Sequence, residues 1–405
     1  MRRYAAGGSE TARLGVAMRV LFTTHPMSGH YHPLQPVASA ALAAGHEVAF
    51  ATGTDCAQSI QRSGFRYFPA GVNPDHPEVI EVLAKGSALI GFEQMLFALT
   101  QLFGGVLAQH MAPDLERVVG EYRPHVVVSE ITEFSGPMLA EKLGLPAVSL
   151  QFGVVHPRES LLPILGPAIS RLRSRLSLDP AAVAASFDRA LVLVFATPSY
   201  QLPDVPLGPN TFLFRPRVFD RSGDEQLPGW VDALHERPIV YGTLGTVPTF
   251  NERPGALRAV IEALGDCDVH GIVTSGRNQD PAAFGPLPSN VRLERYIPQS
   301  LLLDRCSAVI GHGGYGTTMG ALCFGVPLVI TPLGADQPIH AMRCAQLGLA
   351  EAVMPESFSR EAVAVALQRV LGNPSYTERA REFRREIEAM PPMEEAIAKL
   401  EAFVG

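Results

Sequence analysis

The sequence predicts an α/β fold of two doubly wound domains, each built on a parallel sheet with helices on both faces. Short, nearly continuous apolar runs alternate with helical segments along most of the 405 residues. This pattern is typical of parallel strands that are buried on both faces. A Pro- and Gly-rich passage at 203–238 interrupts the alternation, which then restarts. A chain of this length is long for one hydrophobic core but sufficient for two.

The first domain is predicted to span residues 18–215. Its strands are expected at 19–24, 47–51, 125–129, 147–150 and 191–195, with a helix over 34–44 after the first strand. Residues 1–17 contain arginines but lack the apolar run of a signal peptide. We therefore predict that these residues are a disordered leader or an artefact of the choice of start codon, and we expect the fold to begin at Met18.

The second domain is predicted to span 238–385, after a linker at 216–237. Its strands are expected at 238–241, 269–274, 291–293, 308–310 and 328–330, with a helix over 256–264. The tail from 376 to 404 has a helical pattern that Pro391 and Pro392 interrupt. We predict that residues 386–405 form a helix that packs back on the first domain.

The composition narrows the classes of function. A net charge of −7 gives no reason to expect a nucleic-acid partner. An apolar run of about eighteen residues, as a membrane span requires, does not occur in the sequence. The five cysteines are scattered, with no CxxC pair and no metal-ligand spacing. They favour a reduced, cytoplasmic protein without a metal site.

A glycine-rich block at 309–348 is the most informative stretch. An apolar run that ends at Ile310 leads into the sequence GHGGYGT at 311–317, and a helix is predicted over 315–324. A strand, a glycine turn and a helix N-terminus together form a site for phosphate, because free N–H groups converge there and the helix dipole favours negative charge.

The same block matches the GxGxxG pattern of dinucleotide-binding domains, and Asp336 follows its last glycine by twenty residues. In a dinucleotide site this acid lies at the tip of the next strand of the first βα unit. Here five residues separate the strand at 328–330 from Asp336, and several strand–helix units precede the block. The sequence therefore argues against a nicotinamide enzyme.

The block continues with Gly-Val-Pro at 325–327 and with Asp336-Gln337. This spacing resembles the nucleotide-sugar-dependent glycosyltransferases of the GT-B fold, and most closely the bacterial enzymes that glycosylate macrolides, enediynes and related polyketides. The resemblance covers the chain from Met18 onward. It implies two Rossmann-like domains that face an interdomain cleft, with the acceptor bound by the first domain and the nucleotide sugar by the second.

The resemblance also implies the donor site. Its residues are Thr243, Thr246, Arg277, Tyr296, Ile297, His312, Gly313, Gly314, Gly316, Thr317, Asp336 and Gln337. His312 and the glycines would bind the diphosphate, Tyr296 and Ile297 the base, and the Asp-Gln pair the sugar hydroxyls. Structural alternatives stay open: His312 could cap a strand, Tyr296 could be a core residue, and Asp336 could cap a helix over 337–347.

By the same resemblance, His30 is the catalytic base. It lies in the loop 25–33 after the first strand, which also holds two other histidines. An imidazole that titrates near neutrality can take the proton of an acceptor hydroxyl as the hydroxyl attacks the anomeric carbon. Glu130, where the family often has an aspartate, would orient His30. The pair implies a single in-line displacement that inverts the anomeric centre.

Phe92, Phe97 and Phe152 are predicted to bind the acceptor. The stretches 78–111 and 154–172 are rich in large apolar residues and are expected to form the wall of an acceptor pocket. Ordinary helix packing is the alternative explanation for them. The resemblance favours a large hydrophobic aglycone over a free sugar.

The expected function is inverting transfer of a sugar, with a deoxysugar favoured, from a TDP- or UDP-sugar to a hydroxyl of a hydrophobic natural product. The nucleotide sugar is a co-substrate, and no cofactor or metal is expected. Partners are the donor and the acceptor, without nucleic acid or membrane, and a homodimer is left open. The alternatives are another GT-B sugar enzyme, such as an epimerase or a cell-wall GlcNAc transferase, and a non-catalytic auxiliary protein.

Overall fold

A computed structural model describes residues 17–87, 89, 91–155, 158–217, 225–246, 251–276 and 279–405. Within these ranges the chain forms a seven-stranded and a six-stranded sheet, and all strand pairs are parallel. Helices cover both faces of each sheet. The predicted class of two doubly wound α/β domains is confirmed.

The N-terminal sheet has the strand order β3-β2-β1-β4-β5-β6-β7. Its strands are β1 Arg19–Thr23, β2 Glu47–Thr52, β3 Arg66–Pro69, β4 Val126–Glu130, β5 Ala147–Phe152, β6 Leu191–Phe195 and β7 Thr211–Phe214. The helices are α1 Ser28–Tyr31, α2 Gln35–Ala43, α3 Ala57–Arg62, α4 Pro77–Gly86, α5 Gly91–Phe97, α6 Ala108–Tyr122, α7 Ser135–Leu143, α8 Arg158–Arg175 and α9 Ala185–Asp188. A π-helical segment, Ala98–Leu107, joins α5 to α6.

The C-terminal sheet has the order β10-β9-β8-β11-β12-β13. Its strands are β8 Ile239–Thr243, β9 His270–Thr274, β10 Val291–Glu294, β11 Cys306–Gly311, β12 Leu328–Ile330 and β13 Ala350–Ala352. The helices are α10 Ala256–Gly265, α11 Gln299–Leu302, α12 Tyr315–Cys323, α13 Gln337–Gln346, α14 Arg360–Gly372, α15 Pro374–Ala389 and α16 Met393–Val404.

The strand order reverses at one place in each sheet. In the N-terminal sheet β1 lies between β2 and β4, and in the C-terminal sheet β8 lies between β9 and β11. Loops that leave the carboxyl ends of such neighbouring strands run to opposite faces and open a crevice between them, which is where open α/β sheets bind ligands. The loops after β1, β4, β8 and β11 are therefore expected to form the ligand site.

Three strands, β3, β7 and β13, were not predicted. β7 lies inside the Pro- and Gly-rich passage 203–238, at the end of the predicted first domain, and it pairs with β6. All three strands are short, and each contains residues that are only partly buried or are exposed. An edge strand has one paired neighbour and a partly solvated face, so it lacks the continuous apolar run that marks a central strand.

The last helix, α16, packs on the N-terminal domain although it follows the C-terminal sheet. Met393, Ala396, Ile397 and Leu400 are buried in the same core as Val20 of β1. These four residues recur at spacings of three and one, so they form one apolar stripe of the helix. The two domains also share a core, which combines residues of β6 with residues of β8 and α12.

One helical stretch in the described part of the chain, 93–122, is long and apolar enough to cross a membrane by length and composition. Core helices of water-soluble proteins pass the same test, and 44% of its most apolar window is buried inside the protein. The stretch also contains the non-helical Gly105 and the helix-interior Pro113. It is therefore weak evidence for a membrane span.

The buried stripe of α16 generates a stability prediction. Leu400→Ala removes a fully buried side chain and should lower the free energy of unfolding by about 2–5 kcal/mol. The exposed Glu394→Ala is the matched control, and it should leave the melting temperature almost unchanged. Equal melting temperatures for the two variants would contradict the docking of α16 on the first domain.

Candidate active site

The two strand-order reversals face each other across a cavity of about 480 Å³. Both domains contribute to its wall: His30 and Glu130 come from the N-terminal domain, and His312 and Asp336 from the C-terminal domain. The structure therefore brings together residues that lie about three hundred positions apart in the sequence.

His30 and Glu130 form a hydrogen-bonded pair in this cavity. Nδ1 of His30 lies 2.9 Å from Oε1 of Glu130. Glu130 also accepts bonds from Thr132, whose N–H lies 2.8 Å from Oε2 and whose hydroxyl lies 2.7 Å from Oε1. The carboxylate is 3% exposed and held at both oxygens, so it fixes the imidazole ring with Nδ1–H as the donor. Nε2 of His30 is then the nitrogen that can accept a proton.

Charge strengthens this base. Burial raises the pKa of Glu130, but the positive charge and hydrogen bond of His30 outweigh that effect and bring the pKa to about 2. Burial likewise lowers the pKa of His30, yet the Glu130 carboxylate more than offsets it and raises the pKa above the usual 6.5. By contrast, burial lowers the pKa of the neighbouring His25 to about 4. Glu130 is thus charged at neutral pH, and His25 is neutral.

On the other side of the cavity, β11 ends in a turn that requires glycine. Gly313 has φ of +91°, and a Cβ there would lie 3.0 Å from the carbonyl oxygen of Gln337. The ring of His312 fits between Gly245 and Gly314, where added Cβ atoms would come within 2.7 and 2.5 Å of it. α12 begins just beyond, without a side-chain cap on its first N–H groups. This leaves donors directed at the cavity.

His312 itself has an unused polar atom. Its Nδ1 is buried without a hydrogen-bond partner, and burial lowers its pKa to about 4. A buried orphan nitrogen costs free energy unless a ligand satisfies the ring. Gly316 and Thr317, in the first turn of α12, line the cavity beside it. The histidine, the turn and the helix N-terminus can together bind a diphosphate.

Asp336 and Gln337 make different contacts in the structure. Oε1 of Gln337 accepts the N–H groups of Leu333 and Gly334, at 2.8 and 3.1 Å, so this oxygen holds its own loop. Only the amide NH₂ of Gln337 can serve a sugar hydroxyl. Asp336 is 51% exposed and makes no side-chain cap to α13. Asp336 lines the cavity.

The remaining predicted donor residues occupy the same cavity with one exception. Thr243, Thr246, Tyr296 and Ile297 line it, while Arg277 lies outside the described residues. The Thr243 hydroxyl accepts bonds from the N–H of Gly245 and the hydroxyl of Thr274, so it shapes the loop after β8. Thr246 Oγ1 lies 2.6 Å from Oγ of Ser28, which joins the two domains at the cavity.

The three predicted acceptor residues have different positions. Phe152 lines the cavity, and its ring centroid lies 5.8 Å from that of Phe195 and 5.3 Å from that of Tyr315. Phe97 is not among the cavity-lining residues and packs over Gly86 of α4. The side chain of Phe92 lies outside the described residues.

Other residues form most of the apolar wall. Phe103 lies on the π-helical segment, with its ring centroid 5.2 Å from that of His30. Further apolar side chains of the wall are Met95, Leu99, Leu161, Leu162, Leu165 and Phe187. Several belong to the stretches 78–111 and 154–172 that were expected to form the pocket. Composition indicated these stretches, but it could not indicate which face of each helix meets the cavity.

Glu133 is a functional candidate that sequence reasoning missed. It is 1% exposed and lines the cavity. It accepts bonds from the hydroxyl of Thr23 and from the N–H groups of Ser135 and Gly136 at the start of α7. Burial raises its pKa. An acidic residue two positions before a helix start was the available signal.

One cluster in the described part of the chain has the composition of a metal site. His76, Glu78 and His110 each offer a ligand atom, and these atoms lie within 4.8 Å of one another. Within the cluster, Nε2 of His110 lies 3.4 Å from Oε2 of Glu78, and the rings of His76 and His110 are in edge contact, with centroids 4.8 Å apart. None of the three lines the cavity. The expectation that the active site needs no metal stays a prediction.

Comparisons with known proteins identify relatives of this chain. The family described as "Erythromycin biosynthesis protein CIII-like, C-terminal domain" matches residues 258–403. 4'-Demethylrebeccamycin synthase of Lentzea aerocolonigenes is 28% identical over 95% of this chain and 99% of the relative. Aclacinomycin-T 2-deoxy-L-fucose transferase of Streptomyces galilaeus is 27% identical over 95% of this chain and 96% of the relative.

Solved structures extend the likeness to the whole fold. The glycosyltransferase SnogD from Streptomyces nogalater superposes with a TM-score of 0.74 at 28% identity, over 96% of this chain and 100% of that one. The glycosyltransferase VinC, solved in complex with dTDP, has a TM-score of 0.73 at 25% identity, over 96% of this chain and 99% of VinC.

The fold, the cavity and these likenesses define a nucleotide-sugar-dependent glycosyltransferase of the GT-B fold. Within that class, the chain is similar to bacterial enzymes of natural-product and antibiotic biosynthesis.

The His30–Glu130 pair generates a pH prediction. A base must be unprotonated, so kcat/KM should fall as pH drops through the raised pKa of His30. Glu130→Gln removes the charge that raises this pKa, and burial then lowers it. The acid limb of the pH–rate profile should therefore move to lower pH, with a maximal rate reduced by about 10²-fold or more. An acid limb that stays in place would show that Glu130 does not set the pKa of the base.

His312 generates a binding prediction. His312→Ala should weaken TDP binding about tenfold, because it removes a buried hydrogen-bonding group from the diphosphate site. The exposed His235→Ala, outside the cavity lining, is the control and should bind TDP like the unmodified protein. Calorimetric titration measures both. Unchanged affinity in His312→Ala would exclude His312 from the diphosphate site.

Proposed function

We propose that this enzyme transfers a deoxysugar from a TDP-sugar to a hydroxyl of a hydrophobic natural product, with inversion at the anomeric carbon. The observation that carries the proposal is the His30–Glu130 pair, 2.9 Å apart, which shares one cavity with the His312 turn. A proton acceptor for the nucleophile and a cradle for the leaving diphosphate are the two parts that direct displacement needs.

The displacement balances with these residues alone. The acceptor O–H gives its proton to Nε2 of His30 while its oxygen forms a bond to the anomeric carbon. The bond from that carbon to the diphosphate oxygen breaks on the opposite face, and TDP leaves with the electron pair. Glu130 stabilises the imidazolium that forms, and it keeps Nδ1–H directed at itself. In-line attack inverts the anomeric centre.

The leaving group is received by the C-terminal domain. The N-terminus of α12 presents N–H groups and the positive end of its dipole, and His312 adds a donor next to them. We propose that these groups stabilise the charge that develops on the diphosphate, so that the reaction needs no metal cofactor. The thymidine nucleotide of the VinC structure supports TDP over UDP as the donor nucleotide.

The apolar wall supports a hydrophobic acceptor. Aromatic and aliphatic side chains from α5, the π-helical segment and α8 surround the side of the cavity next to His30. A wall of this composition buries an apolar ligand and leaves few polar groups to orient it. The names of the relatives, a rebeccamycin synthase and an aclacinomycin deoxysugar transferase, support a polyketide-like or aromatic aglycone. A cytoplasmic location and a homodimer stay predictions.

The proposal is tested by ligand binding and product mass. TDP should raise the melting temperature more than UDP does, and NAD should have no effect. A panel of TDP-sugars and aromatic or macrolide aglycones should yield products heavier than the aglycone by one sugar residue.

His30→Ala should reduce transfer by about 10²–10⁴-fold, the range of general-base catalysis, while TDP still binds. Transfer at the original rate by His30→Ala would remove His30 as the base. Stabilisation by NAD alone, or by none of the nucleotides, would overturn the proposal.

A further inference from the structure

His340 is a buried histidine that the proposed displacement does not use. It lies on α13, one helical turn after Asp336, so the two side chains lie on the same face of this helix. It is 2% exposed and lines the cavity. Burial of an imidazole costs free energy unless its nitrogens have polar partners. The partners of this ring, which lies next to the Asp336 carboxylate, are therefore informative.

Both ring nitrogens of His340 have partners, and the partners come from different domains. Nδ1 lies 2.8 Å from the hydroxyl of Tyr200, which belongs to the N-terminal domain. Nε2 lies 3.3 Å from Oδ2 of Asp336. The hydroxyl of Tyr200 can donate a hydrogen bond to Nδ1, and Nε2 lies within ion-pair distance of the Asp336 carboxylate. Burial raises the pKa of Tyr200 well above 10, so its hydroxyl keeps the proton to donate.

Tyr200 is held firmly against the C-terminal domain. The guanidinium of Arg343 donates to the carbonyl oxygens of Ser199 and Tyr200, and Glu386 accepts bonds from the N–H and hydroxyl of Ser199. The ring of Tyr200 also packs against Phe383, with centroids 5.9 Å apart. The short loop after β6 is thus anchored on α13 and α15, and the Tyr200 hydroxyl has one position relative to His340.

The edge of the His340 ring between its two nitrogens also lies against the backbone just after β5. Gly153 has φ of +87°, and a Cβ there would lie 2.3 Å from Cε1 of His340. Gln201 fixes this loop by donating to the carbonyl of Gly153 and accepting from the N–H of Val155. The ring is therefore enclosed by the loop that leads to the acceptor wall, by Tyr200 and by Asp336.

We propose that His340 is a positioning residue that orients the Asp336 carboxylate toward the donor sugar, and that it does so only while Tyr200 of the other domain is docked on it. The inference rests on the proposed function, since Asp336 is taken to bind a sugar hydroxyl. Its consequence is that the sugar subsite is complete only in the domain arrangement that also places His30 at the cavity. The nucleotide subsite around His312 needs no such contact.

The test separates sugar recognition from nucleotide recognition. Calorimetry measures the dissociation constants of TDP-glucose and of TDP for each variant. The dissociation constant of TDP-glucose divided by that of TDP reports how well the sugar subsite binds the sugar. His340→Leu should raise this ratio about tenfold, and Tyr200→Phe about threefold, with TDP affinity unchanged. His340→Gln keeps an N–H donor at a similar reach and should restore part of the loss. Tyr122→Phe, which removes another buried tyrosine hydroxyl within the N-terminal domain, is the control and should not change the ratio.

Combination with Asp336→Asn completes the test. If His340 acts through Asp336, the double variant His340→Leu, Asp336→Asn should raise the ratio no more than Asp336→Asn alone. Additive effects, or an unchanged ratio in His340→Leu, would overturn the inference while leaving the proposed function intact. Failure of the unmodified protein to bind either TDP or TDP-glucose would instead overturn the proposed function.

Discussion

The chemistry of this protein depends on the buried apolar core that its two domains share. Neither the base nor the diphosphate cradle can act alone, and they come from separate sheets. Their separation is set by a shared apolar core, in which Val194 and Tyr200 of the first domain pack with Tyr241 and Met319 of the second. Displacement requires reacting atoms within about 3–3.5 Å of each other. A loosened core would therefore stop the reaction by changing the distance between the base and the diphosphate site, although neither of them would itself be altered.

The two sides of the cavity have opposite electrostatic characters, and each fits its half of the reaction. On the N-terminal side, a buried carboxylate raises the pKa of His30 and favours the imidazolium that forms as the proton is taken. On the C-terminal side, burial keeps His312 neutral beside the positive end of α12. An anion is thus favoured where the leaving group departs, and a cation is favoured where the proton arrives.

Sequence reasoning reached the fold class and the pairing of residues far apart in the chain. Buried central strands have strong apolar patterns, and a glycine turn with a histidine leaves a recognisable signature. It failed where tertiary packing decides the outcome. Phe97 turns toward Gly86 and not toward the cavity, because helix composition does not fix which face is buried against which neighbour. Gln337 was expected to bind the donor sugar, and the structure adds that its side-chain oxygen holds the preceding loop, a contact visible only in three dimensions. His340 gave no signal, because its partners Tyr200 and Asp336 converge only when the domains dock.

The central claim is direct displacement with His30 as the base, and the stereochemistry of the product tests it most directly. The measurement is the anomeric configuration of the sugar in the isolated product, from the one-bond carbon–proton coupling at the anomeric position, compared with that of the nucleotide-sugar donor. A single in-line attack predicts inverted configuration throughout the reaction course. Retained configuration would require two displacements or a same-face attack, and it would contradict the mechanism built on the His30–Glu130 pair.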